Sequence, residues 1–172
     1  MSLAPLCPRE FDRFWEIMEA SVPRDERRPK EAQRALVGRP DHKVLVARDE
    51  HGMVIAFITL WDVGEFTFVE HFAVAPDHRG QGLGAHILCQ AARLCSARLC
   101  LEVEVPETEI ARRRVAFYER NGFCLNHYPY EQPAYAPDRE SVPLLIMTAG
   151  GGIDRATFEQ VRAALYSRVY GL

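Results

Sequence analysis

No apolar run in the 172-residue chain approaches the roughly 20 residues that cross a bilayer, so no membrane partner is expected. A surplus of positive charge is missing too. Lys and Arg number 21 against 24 Asp and Glu, for a formal net charge of −3. That balance speaks against nucleic acid or an anionic lipid surface. The opening MSLAPLCPREF has no basic stretch followed by an apolar one, so no secretory signal is expected. The five cysteines (7, 89, 95, 100 and 124) are odd in number and form no CxxC pair. They read as reduced thiols of a cytoplasmic protein. No histidine–carboxylate cluster has ligand spacing, so no metal is expected. Internal repeats and low-complexity segments are also absent.

What the chain does have is a readable succession of elements. Its length suits one domain over residues 1–172 that buries a sizeable core. Phe11, Phe14, Trp15 and Met18 recur at helical spacing after Pro8, and residues 28–38 read as a second helix stopped by Gly38. Residues 42–49 and 53–63 read as strands joined by a hairpin turn at DEHG. A third strand, 65–75, alternates Phe66, Phe68, Glu70, Phe72 and Val74 against Thr67, Val69, His71 and Ala73. Then come a helix from Leu83, a strand RLCLEVEV (98–105), a helix closed by Asn121-Gly122, and two closing strands at 123–130 and 142–147. A proline- and charge-rich linker separates those last two strands. Asp154 can cap a final helix over about 154–170, with Phe158, Val161, Leu165 and Val169 on one side. That apolar side is suited either to closing the core or to a homodimer. The fold class is α/β or α+β with a mixed sheet.

The densest signal is HRGQGLGAHIL (78–88), with Gly80, Gly82 and Gly84 at the mouth of a helix. Glycine costs about 1 kcal/mol relative to alanine within a helix, so something else favours it. The first amides of a helix lack internal partners and, with the helix dipole, attract anions. Glycines let a ligand approach the backbone closely, and Arg79 adds a cation of phosphate-matching shape. A phosphate or pyrophosphate is the expected ligand. Ala85 and His86 stand where a Walker loop needs Lys and Ser/Thr, and the G-x-G-x-G spacing departs from the dinucleotide fingerprint.

VAPDHRGQGLGAHIL (74–88) resembles the acyl-CoA-binding motif of the GNAT superfamily of N-acetyltransferases, through Arg79-Gly80-Gln81-Gly82-Leu83-Gly84. VAFYERNGF (115–123) resembles the family's second signature, and the order of elements over about 8–148 is similar as well. The resemblance implies a mostly antiparallel mixed sheet flanked by helices and splayed at the coenzyme site. It implies acetyl-CoA as co-substrate and transfer to an amine in a ternary complex, without a metal. It assigns the pyrophosphate of coenzyme A to Arg79, Gly80 and the amides from Gln81 through Gly82, Leu83 and Gly84 to Ala85. The pantetheine arm falls to the backbone of Phe72, Ala73 and Val74, with the sheet splaying after Val74. An amide near Val74 would serve as oxyanion donor. Ala111 stands where many members of the family carry asparagine. Arg112, Arg113 and Arg114 read as a solvated basic face.

The chemistry needs a neutral amine and a proton for the departing thiolate. Tyr118 resembles the family tyrosine that meets the sulfur and is the candidate general acid. Glu70 is the candidate base: placed among Phe66, Phe68 and Phe72, its carboxylate is expected to be desolvated and its pKa raised. Glu102, whose face Glu104 shares, is the runner-up, and a water-mediated base stays open. Tyr128, Tyr130 and Gln132, with Tyr135, lie where the family places acceptor contacts; Trp61 and Asp62 are expected at the same opening. The acceptor expected is a primary amine on a small molecule. Two rivals stand beside it: transfer to a protein amine, which needs an open groove, and an acyl-CoA-binding module without catalysis.

Overall fold

Residues 42–75 form the centre of a seven-stranded sheet in the computed structural model, which describes residues 2–172. The strands are β1 (Ala4–Pro5), β2 (His42–Arg48), β3 (Val54–Asp62), β4 (Phe66–Val74), β5 (Arg98–Glu104), β6 (Phe123–Gln132) and β7 (Val142–Ala149). Their spatial order is β1-β2-β3-β4-β5-β7-β6. Every neighbouring pair is antiparallel except β4–β5. The DEHG turn closes as expected: Gly52 has φ +80°, and Asp49 Oδ1 accepts from the amides of His51 and Met53. The expected fold class, a mixed and mostly antiparallel sheet between helices, is what the chain adopts.

Among the described residues, four longer helices cover the sheet. On one face lie α3 (Leu83–Leu94) and α4 (Glu109–Arg120), burying Ile87, Leu88, Ala91, Val115 and Tyr118 against Leu45, Ile58, Leu60, Val69 and Leu101. On the other lie α1 (Phe11–Ser21) and α5 (Arg155–Arg168). Phe14 and Met18 of α1 are fully buried with Val46 and Phe57. Asp154 caps α5 by accepting from the Thr157 amide at 2.8 Å. Phe158, Val161, Leu165 and Val169 then pack on Phe66, Phe68 and Cys100. The apolar side of α5 is therefore spent inside the chain, and the alternative of a homodimer through that side is set aside. The second helix is shorter than expected: α2 covers only Lys30–Arg34, and the chain then turns to Gly38 at φ +91°. All five cysteines stand unpaired. Among the described residues no helix is long and apolar enough to cross a membrane.

Two irregularities in the middle of the sheet shape everything that follows. The β3–β4 register steps from Thr59↔His71 to Leu60↔Val69, so Glu70 is the extra residue of a bulge. The bulge resets the alternation. Phe66, Phe68, Glu70, His71 and Ala73 face the α1/α5 side, while Val69, Phe72 and Val74 face α3 and α4. Continuous alternation had put Glu70 with Phe72 and Val74, and His71 opposite; both placements are corrected. The second irregularity is the parallel ladder itself, which spans only Phe66↔Arg98 to Val69↔Leu101. The strands separate there, five residues earlier than the expected point after Val74, and Glu70 and Glu102 are the first residue past the last pair on each strand.

Candidate active site

A cavity of about 660 Å³ opens at that separation. It is lined at one end by the glycine turn and at the other by Glu26, Glu102, Gln132 and Leu144, with Glu70, Phe72 and Tyr118 between.

The turn explains its glycines separately. Gly80 and Gly82 have φ +78° and +73°, a region that residues with a Cβ rarely enter. Gly82 is the N-cap of α3 and no side chain caps the helix, which leaves its first amides for a ligand. Gly84 is different. Its backbone is ordinary, but an added Cβ would lie 3.2 Å from Phe117 Cζ and 3.4 Å from Phe72 Cζ. It allows α3 to approach α4. Arg79, Gly80, Gly82, Leu83, Gly84 and Ala85 line the cavity; Gln81 is exposed and does not. The Arg79 side chain is already engaged, donating from Nε to the Val74 carbonyl at 2.9 Å and from Nη2 to Ser21 Oγ at 2.9 Å. It ties the end of β4 to α1, which was not expected of a phosphate ligand.

From Glu70 to Val74 the edge of β4 that faced β5 has no partner strand among the described residues. The Ala75 amide reaches across to Ile55 on the β3 side at 2.8 Å. Alternation then turns the polar groups of Val74 and Phe72 to the open edge, and those of Ala73, which pairs with Phe57, back to β3. Of the three expected backbone contacts, Phe72 and Val74 have the geometry of an edge awaiting an extended ligand, and Ala73 does not.

Glu70 is the largest departure. Its side chain is completely buried and forms an ion pair with Arg28. It also accepts from Trp61 Nε1 at 2.8 Å and from the Tyr135 hydroxyl at 3.0 Å. Burial alone would raise its pKa. The Arg28 charge, helped by His71, His42 and the Trp61 N–H, overrides that and holds it at about 2. The raised pKa expected from the aromatic neighbours fails because sequence offered no view of Arg28, 42 residues away. Burial keeps His42 and His71 below the usual histidine range, although Glu70 pulls the other way. His71 Nε2 lies 2.8 Å from the Glu26 carbonyl and donates to it.

Glu102 has the opposite environment. Burial pushes its pKa up to about 7, Glu70 and Glu26 add to the rise, and hydrogen bonds from Tyr130 and Tyr170 moderate it. Glu26 is likewise raised, first by burial and then by Glu104. Glu104 itself pairs with Arg114 at 3.0 Å. Tyr118 is buried, which lifts its pKa to about 12 against a lowering by Arg114. Its hydroxyl has no hydrogen-bond partner among the described residues.

The expected acceptor contacts divide. Gln132 lines the cavity and donates to the Asp25 carbonyl at 3.0 Å. Tyr130 reaches it through Glu102. Tyr128 sits where β6 carries extra residues between Asn126 and Tyr130; it stacks on Phe158 at 4.9 Å and donates to the Ile153 carbonyl. That makes it an anchor for α5, outside the cavity. Trp61 is buried beneath Glu70, and Asp62 lines a separate hollow with Lys43 and Cys95. Arg28, Tyr170 and Glu26 were missed. They sit in a charged loop and at a helix end, with no local pattern to mark them.

The linker 133–141 folds over the acceptor end. Tyr135 is inserted beside Glu70, Arg24 Nη1 donates to the Asp138 carbonyl at 2.9 Å, and the Glu140 amide donates to Asp25 Oδ1 at 3.2 Å.

A family model described as acetyltransferase (GNAT) domain matches residues 40–124. No curated protein sequence gives a match. Among solved structures, a protein from Bacteroides thetaiotaomicron assigned as an acetyltransferase of the GNAT family is 31% identical, with a TM-score of 0.88 over 100% of this chain and 99% of that one. A spermidine N-acetyltransferase SpeG chimera from Vibrio cholerae and hSSAT is 16% identical, with a TM-score of 0.64 over 87% and 95%. A phosphinothricin acetyltransferase from Sinorhizobium meliloti, in complex with AcCoA, is 18% identical, with a TM-score of 0.64 over 90% of both chains. These last two share the fold. Near-complete coverage at 31% identity, together with the family match across the glycine turn and the Tyr118 helix, settles the membership: the chain is an acyltransferase that belongs to the GNAT acetyltransferase family.

Proposed function

We propose that the protein transfers the acetyl group of acetyl-CoA to a primary amine of a small molecule, with Glu102 as proton acceptor and Tyr118 as proton donor. The observation that carries this reading is the pairing of unlike groups in one cavity: a carboxyl with a pKa of about 7 and a phenol with no internal partner. A base works best when its pKa lies near the working pH. Glu70, held near 2, stays ionised throughout and serves as an anchor.

The residues divide the work along the cavity. The amides at the start of α3, opened by Gly80 and Gly82, suit a pyrophosphate, and the free edge at Phe72 and Val74 suits an extended amide-bearing arm. Acetyl-CoA supplies the activated acyl group. The Val74 amide is the candidate oxyanion donor. Glu102 takes one proton from the ammonium form of the substrate, freeing the lone pair that attacks the thioester carbonyl. Tyr118 gives its proton to the departing sulfur, and the second proton leaving the nitrogen replaces it. Glu26, Glu102 and Gln132 make the acceptor end polar and acidic, which favours a cationic amine.

A small acceptor is favoured over a protein by the linker 133–141, which folds across the end where a polypeptide would lie. The unpaired cysteines support a cytoplasmic setting. The test is an amine panel with acetyl-CoA, read by release of free thiol. Turnover with small primary amines, lowered on the order of 100-fold or more by Glu102→Gln, is expected. Coenzyme binding without thiol release for any amine would favour the non-catalytic module, and turnover confined to peptides would favour the protein acetylation reading.

A further inference from the structure

We propose that Tyr170, in the turn that follows α5, is a positioning residue for the transfer: its hydroxyl holds the Glu102 carboxylate in place and adjusts when that carboxylate takes a proton. The proposal rests on Glu102 being the proton acceptor. Its basis is the arrangement of hydroxyls behind the cavity.

The Tyr170 hydroxyl lies 2.8 Å from Glu102 Oε1 and 2.9 Å from Oε2, and Tyr130 donates to Oε1 from β6. On the far side, the Tyr170 oxygen is 3.4 Å from the Tyr135 hydroxyl, which donates to Glu70 Oε1 at 3.0 Å. An ionised Glu102 accepts from both tyrosines. Once it carries the amine proton on Oε2 it becomes a donor, and a Tyr170 hydrogen still aimed at it would clash. The hydrogen can turn to the Tyr135 oxygen, so that Tyr170 accepts from Glu102 while Tyr135 goes on donating to Glu70. One hydroxyl rotation serves both states, and no carboxyl oxygen is orphaned in either.

Tyr170 is held for this purpose from several sides. Its ring lies 5.1 Å from Tyr135 and 6.4 Å from Tyr166. Its amide donates to the Leu165 carbonyl at 3.2 Å, and Gly171 turns the chain back at φ +73°. Arg28, the partner of Glu70, donates from Nη2 to the neighbouring Val169 carbonyl at 2.8 Å. The end of a helix additional to the nucleotide-binding elements is thereby pinned behind both carboxylates.

Several titratable groups act on Glu102. Tyr130 faces it from β6, Tyr135 from the linker, Tyr166 and Tyr170 from α5 and its turn, Glu70 from β4, Glu26 from the turn before α2, and Cys100 from its own strand. Among the described residues, only Tyr130 and Tyr170 donate to it.

Tyr170→Phe keeps the ring and removes one donor to the charged form, so the acid limb of the kcat/KM profile is expected to move to higher pH by about one unit. A 13C-carboxyl NMR titration of Glu102 should move equally and needs no turnover. Tyr166→Phe removes a hydroxyl on α5 that donates to the Glu131 carbonyl and not to Glu102, and should move the limb far less than Tyr170→Phe does. Incorporation of 3-fluorotyrosine at position 170, an almost isosteric and stronger donor, should move the limb the other way. Glu102→Gln separates the two claims. Loss of the limb in Glu102→Gln with no shift in Tyr170→Phe overturns the role of Tyr170 and leaves Glu102 standing. A limb that survives Glu102→Gln removes Glu102 as the acceptor, and this role with it.

Discussion

Replacing Arg28 by Met tests the buried pair beneath the cavity. Arg28 is the cation that keeps a completely buried Glu70 at a pKa of about 2, against 4.5 for an ordinary glutamate. At about 1.4 kcal/mol per unit, that difference corresponds to roughly 3 kcal/mol of stability from Glu70 ionisation. Breaking one side of a buried pair costs roughly 3–5 kcal/mol, which agrees. The sign with pH is specific. In the native protein the folded pKa is depressed, so this contribution is present above about 4.5 and is lost as pH falls through 2. In Arg28→Met, burial is no longer opposed by the guanidinium, and the pKa of Glu70 rises above its unfolded value. The variant then loses stability as pH rises past 4.5, the reverse of the native trend for this group. Urea unfolding followed by tryptophan fluorescence between pH 3 and 8 gives the comparison: the deficit of the variant should be about 1–2 kcal/mol near pH 3 and grow to several kcal/mol at pH 7. A deficit below about 1 kcal/mol at pH 7, or one that does not vary with pH, would refute the account of Glu70 as an ionised anchor. Joint replacement, Arg28→Met with Glu70→Leu, should recover part of the loss, because an apolar pair of similar volume often equals a buried ion pair, while Trp61 Nε1, left without its acceptor, keeps the recovery incomplete.

Two further variants test other parts of the site. Tyr118→Phe should lower kcat on the order of 100-fold, the scale of a lost general acid, while coenzyme affinity measured by calorimetry stays unchanged; equal turnover would remove Tyr118 as the donor to sulfur. Gly84→Val places a branched side chain where even a Cβ would be 3.2 Å from Phe117, and should cost about 1–3 kcal/mol as overpacking, read as a lower Tm; an unchanged Tm would mean that α3 and α4 do not need this close approach.

The glycine turn and the order of elements were legible in the sequence because both are local. Positive φ, a helix start and an apolar period of 2 or 3.6 each fit within a dozen residues. The acid–base assignment was not local. A single inserted residue in β4 put Phe72 and Val74 on the face opposite Glu70, and no alternation count reveals a bulge before the partner strand is known. Glu102 was weighed second because its tyrosine partners lie 28 and 68 residues away. Tyr128 and Tyr130 look equivalent in HYPYEQ, yet the irregular register of β6 sends one to α5 and the other to Glu102. The second helix was overread since Ala35, Leu36 and Val37 continue a helical pattern in a segment that in fact turns at Gly38.

The four-residue ladder between β4 and β5 also acts as a ruler. Its last rung, Val69↔Leu101, is the floor of the notch, and Val74 at the rim is five residues up the strand. At about 3.3 Å per residue the slot is roughly 16 Å deep. Adding one rung would raise the floor by about 3.3 Å, the length of about two bonds of a ligand arm, and would pair Glu70 with Glu102 instead of leaving both just past the ladder. Removing one would lower the floor by the same step. In the proposed transfer, the stretch of chain that decides where an acyl group stops is thus a hydrogen-bond count, and it carries no catalytic side chain of its own.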